Sequence, residues 1–295
     1  MTIVTRPTSV KSMIGGSIVL PVHACGHEPA REVAPWVGAP GTAGTVAVVG
    51  AGKMGLPLCA QFADHGWRVI AVDVQQAVVD AINEGRSHVL EEPGLADLVR
   101  SAHDRGRLRA TTDAAQAARD ADVVVVIVPV MLDDEQQPDY RYMDAAVAAV
   151  APGVHEGSLI IFETTLPVGD TRQRFTPRLE AASGLRADED FFVAFSPERL
   201  FSGAVFRNLA TYPKLVGGIG PASTERAAAF YASVLDADVV PLSSAESAEF
   251  SKLADTTYRD VNIALANEFA RYADRVGVDI QEVIAAANTQ PYSHI

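Results

Sequence analysis

From Thr45 onward, short apolar runs alternate with amphipathic stretches. TVAVVG (45–50) is a β-branched run that stops at a glycine, and LCAQFADHG (58–66) has helical spacing and ends at Gly66. WRVIAVD (67–73) is a second apolar run closed by an acid, and QAVVDAINEG (76–85) reads as a helix stopped by Gly85. ADVVVVIVPV (121–130) is apolar throughout, as a strand buried on both faces of a parallel sheet requires. SLIIFET (158–164), DFFVAFS (190–196) and PKLVGG (213–218) are further strand candidates, separated by Ala- and Arg-rich helical stretches. Strands alternating with helices of this length predict an α/β fold with a doubly wound parallel sheet.

The pattern changes after Pro241. Residues 243–276 contain neither Gly nor Pro, and Val261, Leu265, Phe269, Tyr272 and Val276 recur at steps of four, four, three and four. That spacing is one helical face, with Ser243 or Ser244 as cap and Glu246 in the first turn. A helix of about 30 residues spans about 45 Å, too long for a sheet crossover, and is read as the spine of an all-α domain. A shorter helix, DIQEVIAAANT (279–289), follows. The expected organisation is an extension over 1–44, a sheet domain over 45–241 and a helical, dimerising domain over 242–295. The first segment is rich in Gly, Pro, Ser and Thr with no sustained period. Its short apolar part, Ile14–Val22, is broken by glycines and Pro21, so it is read as a flexible extension rather than a secretion signal, with Cys25 an exposed thiol.

Composition narrows the function classes. The 295 residues carry a net charge of −13, which leaves no basic stripe for nucleic acid. Two Cys without metal-ligand spacing exclude a disulfide scaffold and a zinc ribbon, and no apolar run reaches the length of a membrane span. A cytoplasmic enzyme fits this profile. Gly50-Ala51-Gly52-Lys53-Met54-Gly55 lies between a predicted strand and a predicted helix. Gly50 permits the tight turn, Gly52 lets backbone approach a pyrophosphate, and Gly55 allows helix to pack closely on strand. Asp73 closes the next strand eighteen residues beyond Gly55, where a ribose-binding acid belongs. A carboxylate there repels a 2′-phosphate, so the Rossmann-type domain is expected to take NAD. Cys59, four residues into the following helix, reads as a small core residue.

Several further motifs stand in order. Glu163-Thr164-Thr165-Leu166-Pro167-Val168-Gly169-Asp170-Thr171, Phe195-Ser196-Pro197-Glu198-Arg199, Tyr212-Pro213-Lys214-Leu215-Val216-Gly217-Gly218 and the long helix with Lys252-Leu253-Ala254 together resemble the UDP-glucose/GDP-mannose dehydrogenase family. The resemblance runs from about Thr45 to the last residue and is greatest to members acting on UDP-N-acetylhexosamines. It implies oxidation of the sugar C6 alcohol to a carboxylate in two NAD-dependent hydride transfers, with a Cys capturing the intermediate as a thioester. It assigns Thr165 to the nicotinamide and a catalytic water, Glu198 to general-base or substrate contact, and Lys252 to the developing charge on the sugar oxygen. It places Gly50, Gly52, Lys53, Met54, Gly55, Asp73, Pro129 and Thr165 on the cofactor, and the long helix in a homodimer. Metal ions have no part in it. Structural roles also fit: Thr165 as a helix cap, Glu198 as a loop acid paired with Arg199, Lys252 as an exposed Lys paired with Glu249 or Asp255.

There are departures. Thr256 stands where many members carry an Asn that assists Lys252, Val130 where many carry Thr, and Ala204 where a basic residue often follows the glycine. The family's nucleophilic Cys belongs to a glycine-rich loop after the helix ending near Asn288-Thr289-Gln290-Pro291, and the chain ends at Ile295. The expectation is therefore little complete four-electron oxidation by this polypeptide. The alternatives are a non-catalytic NAD-binding, dimer-forming module or decayed gene product. A 3-hydroxyacid dehydrogenase is a third reading, since that family's glycine motif also carries Met and its Lys also sits on a long helix.

Overall fold

The structure, a computed structural model, describes residues 44–290 and Ile295. The expected extension, with Cys25, lies outside the described residues but for Gly44. The elements in chain order are β1 (Thr45–Val49), α1 (Gly55–Asp64), β2 (Arg68–Val72), α2 (Gln76–Asn83), α3 (Leu95–Asp104), β3 (Leu108–Thr111), α4 (Ala114–Arg119) and β4 (Val123–Val126). A two-residue hairpin, β5 (Met131–Leu132) with β6 (Pro138–Asp139), precedes α5 (Arg141–Val150) and β7 (Leu159–Phe162). Then come α6 (Thr176–Ser183), β8 (Phe192–Phe195), α7 (Val205–Thr211), β9 (Lys214–Gly218), α8 (Pro221–Val234) and β10 (Val239–Pro241). The chain closes with α9 (Ala245–Val276) and α10 (Ile280–Ala287).

The sheet has eight strands in the order β10-β9-β8-β7-β4-β1-β2-β3. Six neighbouring strands, β8-β7-β4-β1-β2-β3, run parallel, with the strand order reversing between β1 and β4. The expected parallel, doubly wound core is present, but it does not extend to the whole sheet: β9 pairs antiparallel with β8, and β10 runs parallel to β9. Side chains alternate between the two faces. Val46 and Val48 join the core under α1–α3, α7 and α8, whereas Ala47 and Val49 join the core under α4–α6. The continuous apolar runs exist because both faces of every central strand are covered.

α9 is 32 residues long, capped by the Ser244 hydroxyl on the Ser247 amide at 3.1 Å and stopped by Gly277 at φ +70°. At 1.5 Å per residue it extends about 48 Å. Ala245 and Ala248 are packed into the core beside α4–α6. Further along, Tyr258, Val261, Ile263 and Tyr272 are exposed. No helix among the described residues is long and apolar enough to cross a membrane.

Candidate active site

The carboxyl edge of the parallel strands gathers the residues singled out in the sequence. At the end of β1, the Gly50 amide donates to Val72 O at 2.8 Å and the backbone turns with φ +101°, a conformation that favours glycine. A Cβ on Gly55 would stand 1.8 Å from Gly50 O, so only glycine lets α1 start this close to the strand. Nothing lies within 4 Å of a Cβ built on Gly52, which leaves open space over the turn. The first turn of α1 carries no acidic side chain and Met54 makes no side-chain cap, so the amides there face no competing carboxylate. Asp73 binds the same turn: Oδ2 accepts the Ala51 amide at 3.2 Å and Oδ1 the Gln75 amide at 2.9 Å. Each oxygen keeps lone pairs for the hydroxyls of a ribose. Open space, unopposed amides and an acid at the next strand end together fit a dinucleotide lacking a 2′-phosphate.

The remaining cofactor-side residues occupy less direct positions. Lys53 Nζ pairs with Glu91 at 3.0 Å on the surface, and this hydrogen bond holds the Glu91 carboxyl below the usual range. The Met54 side chain packs against the core, leaving its backbone to the turn. Pro129 is exposed beyond β4, and Thr165 is exposed beyond β7. Between them, the Thr164 hydroxyl donates to Val128 O at 2.6 Å and ties the two loops together.

Toward β8 and β9 the site changes from backbone to charge. Glu198 lies three residues past β8, its amide donating to Glu163 O at 3.2 Å. It turns inward rather than pairing with Arg199, which donates instead to Pro213 O. Its Oε1 accepts the Leu200 amide, while Oε2 is sealed from solvent with no hydrogen-bond partner among the described residues. Burial raises the Glu198 carboxyl to about 7, the Glu163 charge adding to the rise and Lys214 and Lys252 opposing it. Lys252 Nζ donates to the Glu198 carbonyl oxygen, and burial lowers its ammonium below the ordinary lysine value. Burial moves both groups toward their neutral forms, and for Glu198 it does so far enough to suit proton transfer near neutral pH.

Behind Glu198 sits a second set of charges. Glu163, with 0% of its side chain exposed, pairs with Lys214 Nζ at 2.8 Å and accepts the Tyr231 hydroxyl. Lys214 is the first residue of β9, and the reversal of that strand is what brings it here. With Phe195 opposite Gly217, the start of β9 runs past the end of β8, so the Ser196 hydroxyl reaches Leu215 O at 2.8 Å.

Two further carboxylates hold the loops of the site, a role the sequence reading gave to neither. Glu249 does not pair with Lys252; its oxygens accept the Gly169 amide at 2.6 Å and the Thr171 amide at 2.9 Å, holding the loop after Thr165. Glu92 likewise accepts the amides of Gly203 and Val205, both at 2.8 Å, and holds the loop after Glu198. A usable signal existed for the first: Ala245, Ala248, Glu249 and Lys252 fall at helical steps on one face of α9. The Thr256 hydroxyl donates back into α9, to Lys252 O at 2.8 Å and to Leu253 O at 3.2 Å.

Comparison with known proteins agrees with this arrangement. Residues 44–235 match the model of the UDP-glucose/GDP-mannose dehydrogenase family, NAD binding domain, and residues 246–295 match that of the family's central domain. The NDP-N-acetyl-D-galactosaminuronic acid dehydrogenase of Ralstonia nicotianae is 38% identical over 257 residues, 85% of this chain and 59% of the relative. The UDP-N-acetyl-D-mannosamine dehydrogenase of Salmonella typhi is 36% identical over 257 residues, 85% of this chain and 60% of the relative. The solved structure of UDP-D-ManNAc dehydrogenase from Pyrococcus horikoshii superposes with a TM-score of 0.81 at 35% identity, covering 85% of this chain and 59% of that one. The chain thus spans about three fifths of the length of the curated relatives it matches. With matches on both sides of Ser244, the choice between dehydrogenase families that the glycine motif left open is made: this chain belongs to the UDP-glucose/GDP-mannose dehydrogenase family, whose oxidoreductases use NAD.

Proposed function

We propose that the protein serves the oxidation of the C6 hydroxyl of a UDP-N-acetylhexosamine to the uronate, with Thr165, Glu198 and Lys252 as its reactive residues. The observation that carries this reading is the contact of Lys252 with the Glu198 carbonyl, one loop away from Thr165 on the edge that also holds the glycine turn and Asp73. The glycine turn and Asp73 would hold NAD. Two NAD would be consumed in turn, one hydride leaving the alcohol as the aldehyde and a second leaving at the aldehyde level, with water supplying the second carboxyl oxygen. Glu198, in its carboxylate form, takes a proton from the substrate hydroxyl or from water. Lys252 faces the oxygen on which negative charge develops. Thr165, exposed at the end of β7, orders a water beside the sugar. The uronate product belongs to polysaccharide biosynthesis, and the reaction to the cytoplasm.

The test is NADH formation by the purified chain with NAD and either UDP-N-acetylmannosamine or UDP-N-acetylgalactosamine, against the Lys252→Met variant. Turnover that falls by about 100-fold or more in the variant supports the assignment, given the usual effect of removing one transition-state charge contact. NAD binding with no NADH from any UDP-N-acetylhexosamine would instead favour a non-catalytic NAD-binding, dimerising module. One observation does favour association: Val261, Leu265, Phe269, Tyr272 and Val276, the expected apolar face of α9, are 59%, 42%, 40%, 66% and 49% exposed. We read that face as the surface of a homodimer, and a monomeric mass in light scattering would refute it.

A further inference from the structure

Two adjacent acids in the segment between α2 and α3 send their side chains to opposite ends of the carboxyl edge. Glu91 lies at the surface and pairs with Lys53 Nζ of the glycine turn at 3.0 Å. Glu92 is buried, and its two oxygens accept the Gly203 and Val205 amides of the loop after Glu198, both at 2.8 Å. The backbones come close as well: a Cβ on Gly203, which turns at φ +82°, would stand 3.7 Å from Glu91 O. Val89 and Leu95, buried on either side, fix the stretch that carries both acids.

An acid suits this place for a chemical reason. A carboxylate accepts on both oxygens, whereas Gln offers one acceptor and an NH2 that would face one of the two amide hydrogens. The rest of the loop is held from other directions: the Glu198 amide by Glu163 O, the Leu200 amide by Glu198 itself and the Phe201 amide by Asn208 Oδ1 at 3.0 Å. From the cofactor side the hold is Glu92. We propose that Glu92 is a positioning residue that ties the Glu198 loop to the glycine turn through the neighbouring Glu91–Lys53 pair, so that bound NAD and an ordered Glu198 loop favour each other. The inference rests on Glu198 being the proton-handling group of the reading above.

The charges give the coupling its direction. A dinucleotide brings two phosphate charges to the free amides at the start of α1. Lys53 belongs to that same turn, and Glu91 is its partner in the free protein. An ammonium shared between Glu91 and a phosphate draws the segment toward the turn, and the segment carries Glu92 with the two amides it holds. Hydride transfer needs sugar and nicotinamide in register, and a misplacement of about 1 Å can cost about 100-fold in rate. A loop fixed to the cofactor side supplies that register. Coupling of this kind is reciprocal: a loop that NAD holds closed binds NAD more tightly by the same factor.

The experiment is hydrogen exchange of the full chain, read at the Gly203 and Val205 amides with and without saturating NAD, alongside NAD affinity by calorimetry. In the native chain NAD is expected to slow that exchange by about fivefold or more, the low end of coupling between sites. Glu92→Gln is expected to speed it by about tenfold or more without NAD, given the usual worth of a hydrogen bond to a charged group. It is also expected to abolish the response to NAD and to weaken NAD binding by about the factor lost. Glu91→Gln, a change in an exposed pair, is expected to keep native exchange without NAD and to lose most of the response. A merely structural Glu92 predicts otherwise: exchange rises in Glu92→Gln, but NAD slows it as before, and Glu91→Gln behaves as the native chain. Either that pattern or a native loop unmoved by NAD overturns the proposal. Should Glu92→Gln fail to fold, the response of Glu91→Gln decides alone. The two readings fail separately. A loop indifferent to NAD alongside an inactive Glu198→Gln removes the coupling alone. Glu198→Gln that forms NADH at the native rate removes the function assigned to Glu198, even where the loop responds to NAD.

Discussion

The two ends of the carboxyl edge solve the same problem with different materials. At β1 and β2 the candidate cofactor site consists of backbone: a turn with φ +101° at Gly50, a helix start allowed by Gly55, and one aspartate fixed by two amides. At β7, β8 and β9 the site consists of side-chain charges from separate elements, Glu163, Glu198, Lys214 and Lys252, the paired Glu163 and Lys214 standing 51 positions apart in the chain. The first end depends on shape, and at Gly55 it tolerates no added atom. The second depends on charge balance, and a single neutral substitution leaves its partner stranded.

The largest expected effect breaks the second end alone. Lys214→Met leaves Glu163 buried and unpaired, and is expected to lower stability by about 3–5 kcal/mol in urea denaturation, with much of the loss recovered when Glu163→Gln is added. NAD affinity measured by calorimetry is expected to stay close to native in the folded fraction, because the glycine turn is untouched. Gly55→Ala reverses the pattern. Its methyl would meet Gly50 O at 1.8 Å, so the helix start must shift at a cost of about 3 kcal/mol, and NAD binding is expected to be lost. If both variants lost NAD binding equally, the two ends would be one unit and the contrast would fail.

The smallest effect sharpens it. The Glu198 carboxyl titrates at about 7 in the folded chain against a reference value of 4.5. The folded state therefore binds more protons than the unfolded state between these values, and the Glu198 contribution makes stability fall as pH rises from about 4.5 to 7 and level off above. The difference in melting temperature between the native chain and Glu198→Gln should follow that course across the window. A difference independent of pH would show that Glu198 titrates as an ordinary acid.

Legibility in the sequence follows the same division. Central strands buried on both faces read as plain apolar runs, and the glycine turn with Asp73 reads as a motif because its parts are contiguous or one strand apart. β3 and β10 were missed because an edge strand such as LRAT and a three-residue strand such as VVP carry little pattern. The direction of β9 was also beyond reach, since an apolar run of five residues looks the same whichever way it enters the sheet. In the charged end, Glu198 and Lys252 were found through resemblance, while Glu163 and Lys214 were seen as letters of motifs and not as a pair. Nothing local connects them. Glu249 enters the sequence reading only as one of two possible partners of an exposed Lys252, although its place between Ala248 and Lys252 on the inner face of α9 marks it as buried.

The reversal of β9 bears on the lifetime of the folded protein. β9 lies outside the parallel core, between antiparallel β8 and the three-residue β10, and we expect it to dock after the core has formed. On that expectation Lys214 reaches Glu163 late in folding. Contacts absent from the folding transition state slow unfolding without hastening folding. Lys214→Met is thus expected to raise the unfolding rate in stopped-flow denaturant jumps while the refolding rate stays near native. The buried ion pair then acts as a kinetic latch, prolonging the residence of the folded chain rather than speeding its assembly.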